Sequence, residues 1–126
     1  MSPDTRNATI TLLHSCHDFS AVIFLVYNAK ESKKKLAYLD VKRIQACMQL
    51  CQVTADFLLQ RLSVADKMCE ICAAICEQCA VSFASSDDEQ LRQFAENCKK
   101  AVGACMSESY ALKSNASATK LCEVPE

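Results

Sequence analysis

The sequence predicts an all-α protein, an antiparallel up-down-up-down bundle of four helices. The chain has 126 residues with one Gly and two Pro, and both prolines lie close to its ends. Because turns between strands depend on Gly and Pro, this composition disfavours sheets, barrels and Gly-rich phosphate-binding loops. The length suits one domain with a substantial core. Hydrophobic residues make up 51% of the chain and recur at helical spacing.

Four amphipathic segments follow one another with short breaks between them. We expect helices over about residues 5–31, 36–62, 64–84 and 87–107. Ser63 with Asp66, and Ser86 with Glu89, have the spacing of capping boxes at two of the breaks. Short connections imply antiparallel neighbours. We therefore predict a bundle over residues 1–108 and a short polar tail over residues 109–126 that has room for a loose helix. A longer helical array, or a three-helix core with a separate first helix, is the alternative.

Charge and hydropathy exclude several classes of partner. The formal net charge is −1, which gives no electrostatic footprint for nucleic acid. The first residues lack the basic and apolar pattern of an export signal. The longest uninterrupted apolar run, Ala21 to Tyr27, is far below the roughly 20 residues of a membrane span. We therefore expect a cytoplasmic protein without a membrane partner, in which thiols stay reduced.

Ten cysteines are the second unusual feature of the composition. On the third predicted helix four of them follow the pattern C-x2-C-x3-C-x2-C, which keeps their side chains within an arc of about 80°. Charged residues such as Lys67 and Glu77 lie outside that arc, so the thiols face the core. Neighbouring helices carry further inward cysteines. The inward set comprises Cys47, Cys51, Cys69, Cys72, Cys76, Cys79, Cys98 and Cys105.

Several explanations compete for this stripe of thiols. Buried cysteine packs as a small hydrophobe, but packing alone gives no reason for sulfur at eight positions on three helices. A ladder of disulfides conflicts with their restrictive geometry, and the ferredoxin motif has another spacing. Four cysteines strung along about 15 Å of one helix cannot surround one zinc ion. Thiolates select Cu(I), and two thiolates one turn apart can hold one ion, so a row of Cu(I) sites fits best.

With this pattern the chain resembles the cysteine-rich four-helix-bundle copper storage proteins of bacteria. The resemblance is clearest over residues 47–108. Its motifs are M-C-E-I-C-A-A-I-C-E-Q-C-A at 68–80 and A-E-N-C-K-K-A-V-G-A-C at 95–105. It implies that the inward cysteines bind Cu(I) and that the protein assembles as a homo-oligomer, commonly a tetramer.

The chain also departs from the family pattern. The family carries further cysteines at four positions where this chain has Phe83, Leu91, Phe94 and Ala101. A lower capacity is therefore expected, and a structural, oligomeric bundle without metal is the alternative function. No triad of nucleophile, histidine and acid is evident, and no Glu-x-x-His pair of a di-iron bundle occurs, so we expect no enzymatic activity.

Folding the predicted helices back on one another estimates which residues share a level. We predict one layer with a thiol from each helix, formed by Cys16, Cys51, Cys76 and Cys98. Such a layer could instead hold a single zinc ion in a closed tetrahedral site. Near the turn between the third and fourth helices, Phe83, Leu91 and Phe94 are expected to close that end of the bundle.

Three further residues have metal-binding side chains outside this layer. His14 and His17 flank Cys16 on the first helix and are typical of partly solvated positions. Cys122 lies in the tail, outside the stripe, and no role is assigned to it.

Overall fold

A computed structural model describes residues 3–28 and 35–118, with side chains at residues 5–28 and 35–114. The described chain consists of four helices, α1 (Pro3–Asn28), α2 (Tyr38–Leu59), α3 (Ala65–Phe83) and α4 (Glu89–Ala118). Each helix packs against the next one in sequence, and α1 also packs against α4. This closed arrangement confirms the predicted all-α four-helix bundle. The predicted end of the first helix at residue 31 lies outside the described residues.

The turn between α2 and α3 begins earlier than the predicted end at Leu62. Arg61 adopts a left-handed backbone conformation with φ of 56°. The N–H of Leu62 donates to the carbonyl of Phe57 at 3.2 Å, and that of Arg61 donates to Leu58 at 3.2 Å. This pair of bonds is a Schellman motif, which ends α2 at Leu59.

The predicted helix starts also differ from those in the structure. The residue before α3 is Val64, so α3 begins at Ala65, one residue later than predicted. At α4 the carboxylate of Asp88 accepts the N–H of Gln90 at 2.8 Å, and Ser86 Oγ accepts the N–H of Asp88 at 3.1 Å. Asp88 therefore caps α4 in place of Ser86.

The predicted end of the fourth helix near residue 107 is wrong, because α4 continues to Ala118. Glu108 and Ser109 are buried, and Leu112 packs against the core. Ser109 Oγ donates to a carboxylate oxygen of Glu70 on α3 at 3.3 Å, and Lys113 pairs with the same carboxylate. Polar residues thus extend the packed face beyond the apolar pattern. Residues 119–126, including Cys122, lie outside the described residues.

Aromatic and aliphatic side chains close the end of the bundle near the α3–α4 turn. Phe83, Leu91 and Phe94 are all buried. The ring of Phe94 lies 6.0 Å from that of Phe83 and 5.6 Å from that of Phe19 on α1, measured between centroids. The predicted apolar closure of this end is confirmed.

Helix α1 is more apolar along its length than its longest uninterrupted run suggested. The helix over residues 5–28 contains an 18-residue window with a mean hydropathy of 1.4, and it is long and apolar enough to cross a membrane by length and composition alone. The expectation that no segment reaches such a length is therefore wrong, because it counted only contiguous apolar residues. Core helices pass the same test, and α1 contributes Leu13, Cys16 and Ile23 to the core.

Candidate metal centre

All nine described cysteines are completely buried, and they form no disulfide with one another. They come from all four helices and occupy the bundle beside the apolar end. One turn separates Cys47 from Cys51 on α2, and the four cysteines of α3 share its inward face. Helical spacing therefore places each of these thiols in the core, as the sequence predicts.

Four thiols form the first group, from α1, α2 and α3. The Sγ atoms of Cys16, Cys47, Cys51 and Cys76 all lie within 4.8 Å of one another. Cys47 lies 3.8 Å from Cys16, 4.0 Å from Cys51 and 3.9 Å from Cys76, and Cys51 lies 3.9 Å from Cys76. We call this set the four-thiol group.

A second, smaller group shares one member with the first. The Sγ atoms of Cys47, Cys79 and Cys98 lie within 4.8 Å of one another. The two groups also meet where Cys16 lies 4.0 Å from Cys98. We call this set the three-thiol group.

The predicted layer is therefore wrong in one member, because the four-thiol group contains Cys47 where Cys98 was predicted. Its other members, Cys16, Cys51 and Cys76, do lie together. Cys98 lies instead with Cys79, three residues further along α3 than Cys76, so the offset between α3 and α4 differs from the predicted one. Cys16 Sγ lies 3.8 Å from that of Cys47 and within 4.8 Å of that of Cys51.

The remaining three cysteines extend the thiols away from the apolar end. Cys72 Sγ lies 3.8 Å from that of Cys51, and the Cys105 thiol interacts with those of Cys69 and Cys72. None of these three belongs to a group of mutually close ligand atoms among the described side chains. The structure thus brings every described cysteine of the predicted site into one chain of contacts, and metal binding at each stays a prediction.

Hydrogen bonds among the thiols lower the pKa of some cysteines and raise that of others. The pKa of Cys47 is lowered far below the usual thiol range because Cys16, Cys51, Cys76 and Cys79 surround it as donors. The pKa of Cys51 is raised, first by its hydrogen bond with Cys16 and also by burial, and the pKa of Cys98 is raised in the same way. The pKa of Cys72, which lies outside both groups, is lowered as well, first by its hydrogen bond with Cys105. Thiolates are the metal ligands.

Two buried hydroxyl groups beside the thiols escaped the sequence interpretation. Ser20 Oγ donates to the carbonyl of Cys16 at 2.6 Å and lies 3.6 Å from Cys47 Sγ. Thr54 is fully buried and interacts with the thiol of Cys72. Ser20 follows Cys16 by one helical turn, and Thr54 shares the inward face of α2 with Cys47 and Cys51. Helical spacing would therefore have found both.

The two histidines lie outside both thiol groups. His14 and His17 are half-buried. The Nδ1–H of His17 donates to the backbone carbonyl of Met48 at 2.8 Å, which ties α1 to α2 beside Cys16 and Cys47. Neither histidine belongs to a group of close ligand atoms within the described part of the chain.

The donor set fits soft metal ions. Sulfur is the only donor in either group. A tetrahedral Zn²⁺ site with bonds of about 2.3 Å has sulfur atoms about 3.8 Å apart, close to the contacts in the four-thiol group. Thiolates equally select Cu(I). The four-thiol group can therefore accommodate either ion, and its sulfur spacing does not distinguish Zn²⁺ from Cu(I).

Comparison with known families gives one match. The model of the copper storage protein family (Csp) matches residues 4–110, most of the chain and nearly all of the described bundle. Comparisons with curated proteins and with solved structures give no match.

Proposed function

The chain belongs to the copper storage protein family, and from that premise we propose that it sequesters Cu(I) through thiolates in the bundle core. Bound ions would be held away from water and oxygen, because the nine described cysteines have no exposed surface. In this role copper is cargo rather than a catalytic cofactor. The assignment is a storage function and not an enzymatic one.

The observation that carries this proposal is the extent of the thiol contacts. Nine buried cysteines form one connected chain of contacts across all four helices. Cu(I) is soft and accepts two or three thiolates, so adjacent pairs and triplets can each hold an ion. Packing would not need sulfur at every one of these positions, because alanine fills similar space at Ala55, Ala73 and Ala101.

A single zinc ion in the four-thiol group is the second candidate. Its support is the sulfur spacing, which matches a tetrahedral site. One zinc ion would leave Cys69, Cys72, Cys79, Cys98 and Cys105 without a role. The proposal of several Cu(I) ions gives all nine cysteines the same purpose.

We extend the proposal to the compartment and the assembly. Cu(I) and unpaired thiols both need reducing surroundings, so the cytoplasm is the proposed location. A homo-oligomer, commonly a tetramer in the family this chain resembles, is proposed because α1 exposes Val22, Leu25 and Val26 beside its buried face. Contact between α1 helices of neighbouring copies would cover these side chains.

The test is metal analysis of the reduced protein after anaerobic exposure to Cu(I) or Zn²⁺. A Cys122→Ser variant serves as the background, so that only the nine core cysteines can react. Several tightly held Cu(I) ions per chain, with thiols protected from an alkylating reagent, are expected. One zinc and no retained copper would favour the second candidate. No retained metal, with thiols as reactive as in the untreated protein, would refute both candidates and favour a structural bundle.

A further inference from the structure

We propose that His14, His17 and Met48 form an entry site for Cu(I) on the outer side of the contact between α1 and α2. From this site an ion would pass to the thiols of Cys16 and Cys47. The entry site deepens the proposed function and rests on it, because it concerns the route by which Cu(I) reaches the buried thiols.

A route through the side of the bundle is needed because the described thiols have no exposed surface. Phe83, Leu91 and Phe94 close one end of the bundle. At the opposite end, a cavity of about 60 Å³ is lined by the side chains of Arg6 and Arg61 together with four apolar residues. Two guanidinium groups repel an approaching cation. The flank of the bundle is therefore the more favourable route for Cu(I).

His17 and Met48 lie beside two of the core thiols but outside the core. Both are half-buried, and each directly follows an inward cysteine in the sequence, Cys16 on α1 and Cys47 on α2. The Sγ atoms of these two cysteines are 3.8 Å apart. The 2.8 Å hydrogen bond from His17 to the backbone carbonyl of Met48 shows that the two outer residues also share one level. An outer pair of donor side chains thus lies next to an inner pair of thiols.

Helical spacing places the Met48 side chain on the edge of α2 that faces α1. Arg43 and Thr54 both form hydrogen bonds to residues of α3. At 100° per residue they lie about 20–40° from Cys47 in one direction around α2, whereas Met48 lies about 100° from it in the other. The thioether is therefore on the same side of α2 as the imidazole of His17.

The hydrogen bond of His17 leaves one ring nitrogen for a metal ion. A carbonyl oxygen only accepts, so Nδ1 carries the hydrogen and Nε2 of the neutral ring has a free lone pair. Histidine ligands of metals commonly donate their other N–H to a backbone carbonyl in this way. His14, also half-buried, lies about 60° around α1 from His17 and supplies a second imidazole. Imidazole and thioether groups both suit copper.

Such a site should hold Cu(I) less tightly than the core does. Among the described side chains, His14 and His17 belong to no group of three or more close cysteine, histidine or carboxylate ligands. Their donors are neutral, whereas the core supplies thiolates. In the transfer, each bond from Cu(I) to nitrogen or thioether sulfur breaks as a bond to a thiolate forms, and the thiol proton passes to the buffer. No oxidation or reduction occurs.

The experiment is anaerobic transfer of Cu(I) to the reduced Cys122→Ser chain from its coloured complex with bicinchoninate, followed by stopped-flow absorbance. His17→Asn retains an amide N–H near the position of Nδ1 but lacks Nε2, and Met48→Leu lacks the thioether. Each should slow the transfer about tenfold, the lower end of the loss when a metal site loses one supporting group. The number of ions held at saturation should not fall, because all core thiols remain.

Two controls separate the entry site from other routes. Met68 is also half-buried and also lies next to a core cysteine, Cys69, but it is on α3. Met68→Leu should therefore transfer Cu(I) at the rate of the unmodified chain. The double variant Arg6→Gln/Arg61→Gln removes the positive charge at the end of the bundle and should also leave the rate unchanged. Helical content by circular dichroism checks that each variant folds.

Several results would overturn the entry site. Equal rates in His17→Asn, Met48→Leu and Met68→Leu would show that the outer donors do not take part. Faster transfer in the arginine variant would place the entry at the end of the bundle. Fewer ions at saturation in folded His17→Asn would make His17 a storage ligand instead. An unmodified chain that takes no Cu(I) from the complex, even at equilibrium, would refute the proposed function itself.

Discussion

The apolar end of the bundle and its thiol-lined middle are equally buried, yet they are built from side chains of very different size. Phe83, Leu91 and Phe94 fill the end near the α3–α4 turn. The ring of Phe94 on α4 contacts those of Phe83 on α3 and Phe19 on α1. The middle contains cysteines from all four helices, together with alanines from α2, α3 and α4. Burial alone therefore does not distinguish the two regions, and the chemistry of the buried atoms does.

This difference suggests a division of roles within one bundle. Burying a large apolar side chain contributes about 1.5–3 kcal/mol, and smaller side chains contribute less. The apolar end should accordingly supply more of the stability of the metal-free protein per residue. The middle buries smaller side chains, whose sulfur atoms can bind metal. Metal binding should therefore raise the free energy of unfolding through this region.

The largest expected effect comes from removing the central ring of the apolar end. Phe94→Ala should lower the free energy of unfolding of the metal-free protein by about 3–5 kcal/mol, because Phe94 is fully buried and contacts two other rings. Chemical denaturation measures the change, and Phe94→Leu should lose less. A loss below about 1 kcal/mol would show that this end is not the main source of stability.

The middle should show the complementary response, a gain in stability on metal loading. Free Cu(I) at about 100 times the dissociation constant should raise the free energy of unfolding by about 2.7 kcal/mol for one site that binds only the folded state. Denaturation with and without a Cu(I) chelator measures it. Cys76→Ser should show a smaller gain than the unmodified chain. Identical transitions with and without metal would contradict the division of roles.

Periodicity was sufficient to predict the fold but not the ends of the helices. The inward stripes of α2, α3 and α4 follow directly from 3.6-residue spacing. The end of α4 was missed because Glu108 and Ser109 are polar and yet buried, held by Thr9 and Glu70 from other helices. Contacts with other helices decide whether such polar residues are buried, and the sequence of a single helix does not reveal those contacts.

The candidate site shows the same limit. Spacing identified eight cysteines as inward-facing, the level estimate added Cys16, and the structure buries all nine. Which thiols lie close together depends on the axial offset between helices. The predicted offset placed Cys98 in the layer where the structure has Cys47. The shared position of Cys47 follows from that offset.

A smaller effect is expected at the margin of the apolar end. Tyr27 donates its hydroxyl hydrogen to the carboxylate of Asp88, which ties α1 to the start of α4. Tyr27→Phe should lower the free energy of unfolding by about 1.5 kcal/mol near neutral pH, since the acceptor is charged. The amount of bound metal should not change. Asp88→Asn, which retains an acceptor oxygen without the charge, is the matched comparison.

The pH dependence of this effect has a definite sign. Burial, together with the hydrogen bond and charge of Asp88, raises the pKa of Tyr27 from 10.0 to about 12. The neutral phenol is favoured in the folded state, so its contribution is complete below pH 10 and is lost as the pH rises towards 12. The difference in stability between the unmodified chain and Tyr27→Phe should therefore shrink over this range. A difference that grows with pH would contradict the assignment.

The smallest expected effects concern two backbone positions away from the apolar end, where residue type and conformation are mismatched. Arg61 adopts the left-handed conformation that glycine tolerates best. Gly103, the chain's one glycine, lies inside α4, and a Cβ atom there would meet nothing within 4 Å. Arg61→Gly and Gly103→Ala should each raise the free energy of unfolding by about 0.5–1 kcal/mol.

Because a Cβ atom at Gly103 would meet nothing within 4 Å, it cannot interact with a change at Arg61, and the double variant should show the sum of both gains. Arg61→Ala, which keeps a Cβ atom at the left-handed position, should show no gain. Gly103 lies between Ala101 and Cys105 on the thiol-lined helix. Unchanged Cu(I) binding in Gly103→Ala, together with raised stability, would show that the metal-free fold can be strengthened beside the thiols without altering them. Reduced Cu(I) binding would show instead that stability and metal binding are not separable there.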